Sequence, residues 1–454
     1  SEEAFLNDVD WLDNLKLRVS YGEVGNDGIN SSLWSQNWEA TSDKRYQGAV
    51  NGAFLPSYSL GADMANKDLK WETTITRNIG VDFGFFNSRL TGTIDAYWNT
   101  TKDLLMKTAI PGITGFTSTY ANVGQTSNKG IEIALQGVLV KTRDWNVTAG
   151  FNINFNRGKV DKLADNVTGL YGTEWATSST FPKSDYVLKE GRPVGLVRGL
   201  TADGFYTTDD FTYENGVYTL KEGVADVSSA VFPNYHLHNG MNERPAGQLA
   251  YPGMAKFKDL NDDGIINDDD VDVIGDMTPV HTGGFNINAT YKNFDLGLYF
   301  NWSYGNEIYN VNKLAALYGY KEGAVYENKL SIVKDCYKIY DVVNGELVAL
   351  TTPEQLNAAN ANAKLPLAYS ENGYVSTLGI EDGSYLRLNT LTLGYTLPKS
   401  MLQKAGISNL RVYGSIYNVF TITGYSGIDA EVSTSTSTKT YPQSVSYTHL
   451  TLPT

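Results

Sequence analysis

The sequence predicts an all-β protein, a transmembrane antiparallel β-barrel fragment of about ten strands. Two observations lead to this fold class. Apolar and polar residues alternate over runs of about ten positions, which is the length a tilted strand needs to cross a bilayer. Short connections also alternate with long ones. Both observations recur along the chain, so the prediction does not rest on one segment.

The hairpin at residues 284–305 shows the alternation most clearly. Polar residues occupy one face of it, and a tight Lys292-Asn293 turn joins its two strands. A barrel strand needs two such faces, because lipid touches one and a wet lumen the other. The apolar face carries Phe285, Ile287, Ala289, Tyr291, Phe294, Leu296, Leu298, Phe300, Trp302 and Tyr304.

The same alternation recurs on both sides of this hairpin, at residues 15–22, 75–85, 90–98, 131–139, 145–156, 391–397 and 410–417. The connections are short at 87–89, 141–144, 292–293 and 398–408. They are predicted to be long at 25–70, 101–129, 157–282, 306–383 and 421–443. Outer-membrane barrels have short periplasmic turns and long extracellular loops, whereas a soluble sandwich has no reason to place its long loops at one end.

Composition excludes several classes of protein. No apolar run approaches 18 residues, so a helical membrane protein is excluded. A net charge of −14 argues against a nucleic-acid partner, because phosphate binding needs a basic surface. The single cysteine, Cys336, forbids an internal disulfide. The sequence also carries no nucleophile–base signature, phosphate loop or HExxH motif, so we do not expect an enzyme.

Several blocks, in this order, make the chain resemble the SusC/RagA family of TonB-dependent outer-membrane transporters. The blocks are LKLRVSYGEVGN at 15–26, LKWE at 69–72 with 78–105, NVG at 122–124 with NKGIE at 128–132, EGRPVGLVRGLTADGFY at 190–206, and residues 384–431. The resemblance implies a barrel of about 22 strands in the outer membrane of a Gram-negative bacterium, plugged by an N-terminal domain. It also implies a SusD-like surface lipoprotein as partner and import powered by the TonB complex.

On this resemblance residues 1–454 form the C-terminal part of the barrel, without the plug and the N-terminal strands. The final strand should alternate and end on an aromatic residue, and residues 445–454 do not, so we expect them to be non-native. The expected function is active import of a nutrient, an oligosaccharide first and a peptide second. The alternative is a secreted all-β glycan-binding module, which would be soluble rather than embedded in outer-membrane lipid.

A twelve-residue acidic stretch at 259–270 has the spacing of a calcium loop. Oxygen-bearing side chains fall at positions 1, 3, 5, 9 and 12, and Gly264 stands at position 6. We expect a structural Ca²⁺ on the extracellular side, although an Asp-rich and Asn-rich turn that binds no metal has the same composition. The expected ligands are Asp259, Asn261, Asp263, the Ile265 carbonyl, Asn267 and Asp270.

Aromatic residues in the predicted loops could stack on sugar rings, or could simply pack the loops together. These are Trp34, Trp38, Trp175, Tyr235, Tyr318 and Tyr320. His236 and His238 share one face of a strand, but a third metal ligand is not evident nearby. On the polar face of the wall, the residues expected to line a wet lumen are Asn152, Asn154, Asn286, Asn288 and Asn301. An incomplete wall should appear as an open sheet with two unpaired edges.

Overall fold

The computed structural model describes most of the chain. It covers residues 9–28, 33–36, 38–41, 49–51, 53–54, 57–61, 63–164, 167–172, 176, 180–232, 244–317, 330–368, 373–403 and 406–431. Residues 445–454, and with them the expectation that they are non-native, lie outside this part.

Nine long strands, which we label β1 to β9, form one antiparallel wall. Each strand pairs with the next in chain order, so the wall is a simple meander. The strands are β1 (Leu12–Asn26), β2 (Glu72–Phe85), β3 (Leu90–Ala109), β4 (Ser118–Lys141), β5 (Trp145–Lys162), β6 (His281–Tyr291), β7 (Phe294–Tyr304), β8 (Tyr385–Thr396) and β9 (Arg411–Thr423).

The two-residue strand Asp63–Met64 pairs in parallel with the start of β4 and lies off this path, so the described wall has nine antiparallel strands where the sequence predicted about ten. In the part of the chain that the structure describes, β1 pairs only with β2 and β9 only with β8. The wall is therefore an open sheet there, as expected. The all-β antiparallel prediction is confirmed.

The apolar face of the wall is exposed. Leu17 is 68% exposed, Leu393 54% and Ile416 57%, although each belongs to the apolar set of its strand. A soluble domain would bury such a face against a second layer. Because the alternation is present and the apolar side is left uncovered, this side is the one that meets lipid in a membrane barrel.

The prediction of a long loop at 101–129 is wrong. Strands β3 and β4 remain paired through most of it, up to Ala109 and Ser118, and only eight residues join them. The pairing includes Lys107 opposite Tyr120 and Thr108 opposite Thr119. The alternation disappears here because apolar residues fall on both faces, as in Leu104-Leu105-Met106, among many polar ones, while β-branched threonines still favour an extended backbone.

The short turns lie where the sequence placed them. The Lys292-Asn293 connection closes the β6–β7 hairpin, with Tyr291 opposite Phe294 and Lys292 at a left-handed φ of 54°. The β2–β3 turn uses the same left-handed region at Phe86, Asn87 and Ser88. These turns end the wall on the periplasmic side, and the long loops leave from the other end.

Short strands make up much of the loops. They are Trp38–Thr41, Ala49–Val50, Ala53–Phe54, Ser57–Leu60, Leu170–Gly172, Thr180–Phe181, Tyr186–Leu188, Leu196–Leu200, Ala202–Phe205, Phe211–Glu214, Val217–Leu220, Asp226–Val227, Ala255–Phe257, Ile265–Ile266, Val271–Asp276, Glu307–Tyr309, Tyr340–Val343, Glu346–Ala349, Gly373–Tyr374 and Ile380–Asp382. The α-helices are Val311–Leu317, Pro353–Ala359 and Lys399–Leu402. Among the described residues, no helix is long and apolar enough to span a membrane.

The β5–β6 and β7–β8 connections share one hydrophobic core, which we call the loop core. Tyr206, Tyr218 and Tyr251 from the first connection are fully buried, and Leu356 and Tyr374 from the second pack into the same cluster. The two loops are also joined by main-chain pairing of Thr180–Phe181 with Gly373–Tyr374. The extracellular loops are thus a folded unit with an interior, which the sequence did not predict.

Candidate functional site

The inner face of the wall, opposite the apolar face, is polar as predicted. The five asparagines expected there lie on this face, and each is partly exposed. Asn286 accepts a hydrogen bond from Asn288 at 3.0 Å, and Tyr299 donates to Asn288 at 3.1 Å. Asn154 and Asn301 each keep a buried side-chain oxygen without a hydrogen-bond partner in the described structure. Because each of the five side chains is partly exposed, the face can form hydrogen bonds with water or with a solute.

Three glycines of this inner face lie beneath a hydrogen bond that joins the two strands flanking them. Arg18 of β1 donates to Asp95 of β3 at 2.9 Å, and Gly80 of β2 lies between them in register. A Cβ on Gly80 would stand 2.3 Å from Asp95 Oδ1, so the bridge requires glycine. Two further bridges of this kind are Tyr97–Asn156 over Gly130, at 2.9 Å, and Arg411–Asp295 over Gly394, at 2.9 Å.

The segment that follows β9, residues 425–431, returns across the end of the wall, and we call it the strap. Arg387 of β8, only 7% exposed, forms ion pairs with Asp429 and Glu431 of the strap. Tyr385 donates to the same Glu431 at 2.7 Å. Buried guanidinium–carboxylate contacts of this kind hold a segment firmly, because separating them leaves a buried charge unpaired.

A second anchor fixes the strap to the loops. The Glu381 carboxylate accepts from the Ser426 backbone N–H and hydroxyl, each at 2.8 Å, and pairs with Lys313 at 2.9 Å. Burial alone would raise the pKa of Glu381. The bonds from Ser426 and Lys313 outweigh burial and hold the pKa below its usual range. The strap thus connects the wall to the loop unit.

The acidic stretch at 259–270 folds into a tight loop held by its own side chains. Asp259 accepts from the Gly264 backbone N–H at 2.7 Å, and Asp263 from that of Ile265 at 2.8 Å. Gly264 adopts a left-handed φ of 84°, as position 6 of a calcium loop requires. Asp270 is fully buried and accepts from Leu260 at 2.7 Å, so both ends of the loop are fixed together.

The Ca²⁺ expectation remains a prediction. Among the described residues, no three His, Cys, Asp or Glu side chains converge in a group that could hold a metal ion. The expected ligand set has only three carboxylates and takes its other oxygens from Asn261, Asn267 and the Ile265 carbonyl. The turn is a closed hydrogen-bonded loop whose residues fit the donor set of a hard cation.

Two of the six aromatic candidates lie among the described residues. Trp34 and Trp38 are 55% and 66% exposed, and Trp38 begins a short strand paired with Ser57–Leu60. Trp175, Tyr235, Tyr318 and Tyr320 lie outside the described residues, as do His236 and His238. Sugar stacking by these aromatic residues stays a prediction.

The loop core contains a half-buried ion pair between Lys256 and Asp210 at 2.7 Å. Burial by itself would raise the pKa of Asp210. The hydrogen bonds from Lys256 and Thr207 act against burial and leave the pKa below its usual range. Nearby, burial raises the pKa of Tyr206 well above its usual range, and its hydroxyl donates to the Ala225 carbonyl at 2.6 Å. These groups hold the loop core together.

A cavity of about 830 Å³ lies where the loops leave the wall. Residues of both strand faces line it, among them Asn128 and Gly158 of one face and Lys129 and Arg157 of the other, together with Glu307 of the loops. Sequence reasoning missed this cavity, because its walls come from strands β3, β4 and β5 and from loop segments far apart in the chain. An alternating polar face alone indicates a wet surface, not a recess.

An open antiparallel wall with an exposed apolar face and folded loops at one end defines an outer-membrane β-barrel protein. The family described as "TonB dependent receptor-like, beta-barrel" matches residues 8–251. TonB-dependent receptor P3 of Formosa agariphila is 30% identical over 95% of this chain, and TonB-dependent receptor SusC of Bacteroides thetaiotaomicron is 28% identical over 98%. The solved RagAB peptide transporter matches 94% of this chain with a TM-score of 0.65 at 24% identity.

The chain belongs to the TonB-dependent receptor β-barrel family, and its relatives include SusC. It is accordingly an outer-membrane protein. The chain spans 37% of the length of receptor P3, 38% of SusC and 39% of the RagAB chain that it matches. The similarity to RagAB shows the fold of the wall and its loops.

Proposed function

We propose that this chain is the wall and loop portion of a TonB-dependent importer that carries a nutrient across the outer membrane. The observation that supports it best is the pairing of a lipid-facing apolar side with a polar inner side along nine strands. A wall of this kind separates lipid from a wet passage. The alternative of a secreted module has no use for an uncovered apolar face of this extent.

The proposed cargo is an oligosaccharide, with a peptide as the second candidate. The amide-rich inner face favours a hydroxyl-rich solute. The peptide candidate draws on RagAB, which is a peptide transporter, although the similarity to that protein concerns the fold. The proposed partners are a SusD-like lipoprotein on the folded loops and the TonB complex, acting through other parts of the receptor.

A structural Ca²⁺ in the loop at 259–270 is part of the proposal. Its residues would supply hard oxygens from Asp259, Asn261, Asp263, Asn267, Asp270 and the Ile265 carbonyl. The ion would neutralise a concentration of carboxylates close to the loop core, since Ile266 next to them is fully buried there.

Deletion of the reading frame in its host tests the import function. We expect growth on one class of oligosaccharide as sole carbon source to fail, while growth on glucose is unchanged. Loss of growth on peptides alone would favour the second candidate. Unchanged growth on every oligosaccharide and peptide would refute import. Cell fractionation distinguishes the importer from the secreted module. The importer chain should sediment with the outer membrane and require detergent, whereas a secreted module would be soluble.

A further inference from the structure

The apolar face of the wall ends at a defined level on the side of the long loops. On β5, alternate residues of 145–155 are apolar, and this segment has the length of a tilted membrane crossing. The next two residues on the same face are Arg157 and Lys159. On β4 the corresponding apolar residue is Ile131, and Lys129 follows it two positions nearer the loops. The cations therefore begin where lipid tails give way to headgroups.

Strand pairing brings these cations together with a tryptophan. Lys129 of β4 is opposite Trp98 of β3 on one side and Arg157 of β5 on the other, so the three form one row across the lipid-facing side. One row further out, Ser127 is opposite Lys159. Because neighbouring strands lie about 5 Å apart, side chains of one row and the next can contact a single headgroup.

The cations and the tryptophan border one recess. Trp98, Lys129, Arg157 and Lys159 all line the cavity of about 830 Å³ beneath the loops. The three cations are exposed, and Trp98 is 42% exposed. Aromatic residues mark the boundary between lipid and water in outer-membrane barrels, so an exposed indole at this level is expected to touch lipid. The recess thus combines an interfacial aromatic ring with a basic rim.

Two of the cations lack an anionic partner. Within the described residues, neither Lys129 nor Arg157 forms an ion pair. The Arg157 Nη1 donates to the carbonyls of Pro279 and Val280, each at 3.0 Å. Neutral carbonyls fix the position of the guanidinium without cancelling its charge. The structure therefore holds one of the two cations in place at the headgroup level and leaves the charge of both uncompensated.

Three carboxylates lie close by, and they bear on which anion fits. Lys159 pairs with Asp161 at 3.1 Å, so its charge is compensated. From the loop side, Asp276 and Glu307 border the same cavity, and Glu307 accepts from the Asp276 backbone N–H at 2.6 Å. In the part of the chain described, none of these carboxylates pairs with the other two cations of the row. A bare phosphate would be repelled by the loop carboxylates, whereas a phosphorylated sugar offers them hydroxyl donors.

We propose that this recess binds a phosphorylated glycolipid of the outer leaflet, of the lipid A kind, on the lipid side of the wall. Lys129 and Arg157 pair with its phosphate, Trp98 packs against its apolar part, and the loop carboxylates accept from its sugar. Arginine and lysine at a membrane surface form strong charge-assisted bonds to phosphate headgroups. The bound lipid is a structural partner and not cargo, so the inference is independent of what is imported.

Native mass spectrometry of the chain in non-ionic detergent tests the proposal, with lipid A, dephosphorylated lipid A, phosphatidylglycerol and inorganic phosphate as probes. We expect lipid A to bind most tightly and the dephosphorylated lipid and inorganic phosphate not to bind. Lys129→Gln and Arg157→Gln should each weaken lipid A binding by about tenfold, the loss of one charge-assisted hydrogen bond. Lys141→Gln is the matched control, because it removes an exposed cation from the opposite end of β4 and should change nothing.

Several outcomes would overturn the inference. Equal binding of lipid A with and without its phosphates would refute the phosphate contact. Equal binding of phosphatidylglycerol would refute the glycolipid, and tight binding of inorganic phosphate would indicate a soluble anion site instead. Lipid A binding that Lys129→Gln and Arg157→Gln leave intact would refute the site, as would no lipid A binding by a chain with strand-rich circular dichroism. The deletion phenotype is measured separately, so failure of this site leaves the import proposal standing.

Discussion

At the scale of single residues, the inner-face glycines show how a missing side chain can stiffen a sheet. A hydrogen bond from β1 to β3 has to pass over β2, and only a residue without a Cβ leaves room for it. Odd-numbered strands are joined in this way across even-numbered ones at three places. The bridges add side-chain contacts to a wall that otherwise depends on main-chain pairing.

The glycine requirement gives a first prediction. Gly80→Ala should lower the free energy of unfolding by about 1–3 kcal/mol, because its Cβ displaces both Arg18 and Asp95. Gly84→Ala is the matched control, on the same strand and face, where a Cβ would meet atoms only at 3.6 Å or beyond. That substitution should be neutral or slightly stabilising, since alanine restricts the unfolded chain. Urea unfolding in detergent micelles measures both, and equal losses would contradict the bridge.

The Asp210–Lys256 pair gives a second prediction, on pH. The folded state holds the pKa of Asp210 below its usual range, so the pair stabilises the loop core above the unfolded pKa of about 4 and loses this effect as pH falls below it. Asp210→Asn should therefore melt at a lower temperature than the natural chain at pH 7. The difference should shrink as the pH approaches the folded pKa.

Lys256→Gln serves as the second arm of this test, because it removes the partner and leaves the carboxylate. It should reproduce the loss at pH 7. A melting difference that stays constant from pH 7 to acid would mean that packing, and not the charge pair, is responsible.

At the scale of elements, the calcium loop gives a third prediction. Millimolar CaCl₂ should raise the melting temperature of the natural chain, because an ion that binds only the folded loop stabilises it. Asp259→Ala and Asp263→Ala should remove that increase. Asp269→Ala, inside the same loop but outside the expected ligand set, should keep it. A melting temperature that never responds to calcium would show that the turn needs only its own hydrogen bonds.

The strap gives a fourth prediction. Arg387→Met leaves Asp429 and Glu431 without their buried cation, a change that costs about 3–5 kcal/mol in comparable sites. The strap should detach, and chymotrypsin should cleave after Tyr425 faster than in the natural chain. Arg411→Met removes a similar ion pair at the periplasmic end of the wall and should not change cleavage at Tyr425. Equal cleavage in all three chains would contradict the anchoring role.

The elements also show what one sequence can predict. Alternation gave the wall strands, their two faces and the Lys292-Asn293 turn, because each is encoded within a few neighbouring residues. Alternation did not predict the paired strands within 101–129, where the strands leave the lipid and no longer need an apolar face. The strap and the cavity depend on contacts such as Arg387 with Glu431, which are distant in the chain and carry no local signal.

At the scale of the whole molecule, two features of the wall are unfavourable in water. Its apolar side is uncovered, and in the described residues the outer edges of β1 and β9 have no neighbouring strand. Unpaired edges and exposed apolar faces promote association between chains. An open wall is consistent with the family assignment, because the chain matches less than two fifths of the length of receptor P3 and of SusC.

This arrangement gives a fifth prediction, for the chain expressed as it stands. In buffer without detergent it should aggregate, and in detergent it should remain dispersed with strand-rich circular dichroism. Size-exclusion chromatography with light scattering distinguishes the two. A monodisperse soluble monomer with a cooperative melt would contradict the membrane-facing assignment of the apolar side.

The length of the β3–β4 hairpin has a consequence for the cell surface. Strand β4 has 24 residues, roughly 80 Å when extended, whereas a tilted crossing needs about 9–11 residues. More than half of the hairpin therefore extends beyond the lipid on the outer side of the membrane. Its tip carries Ile113, which is 96% exposed. Among the parts of the receptor described, this tip is a natural place for antibodies, phages or an inserted epitope tag to reach an intact bacterium.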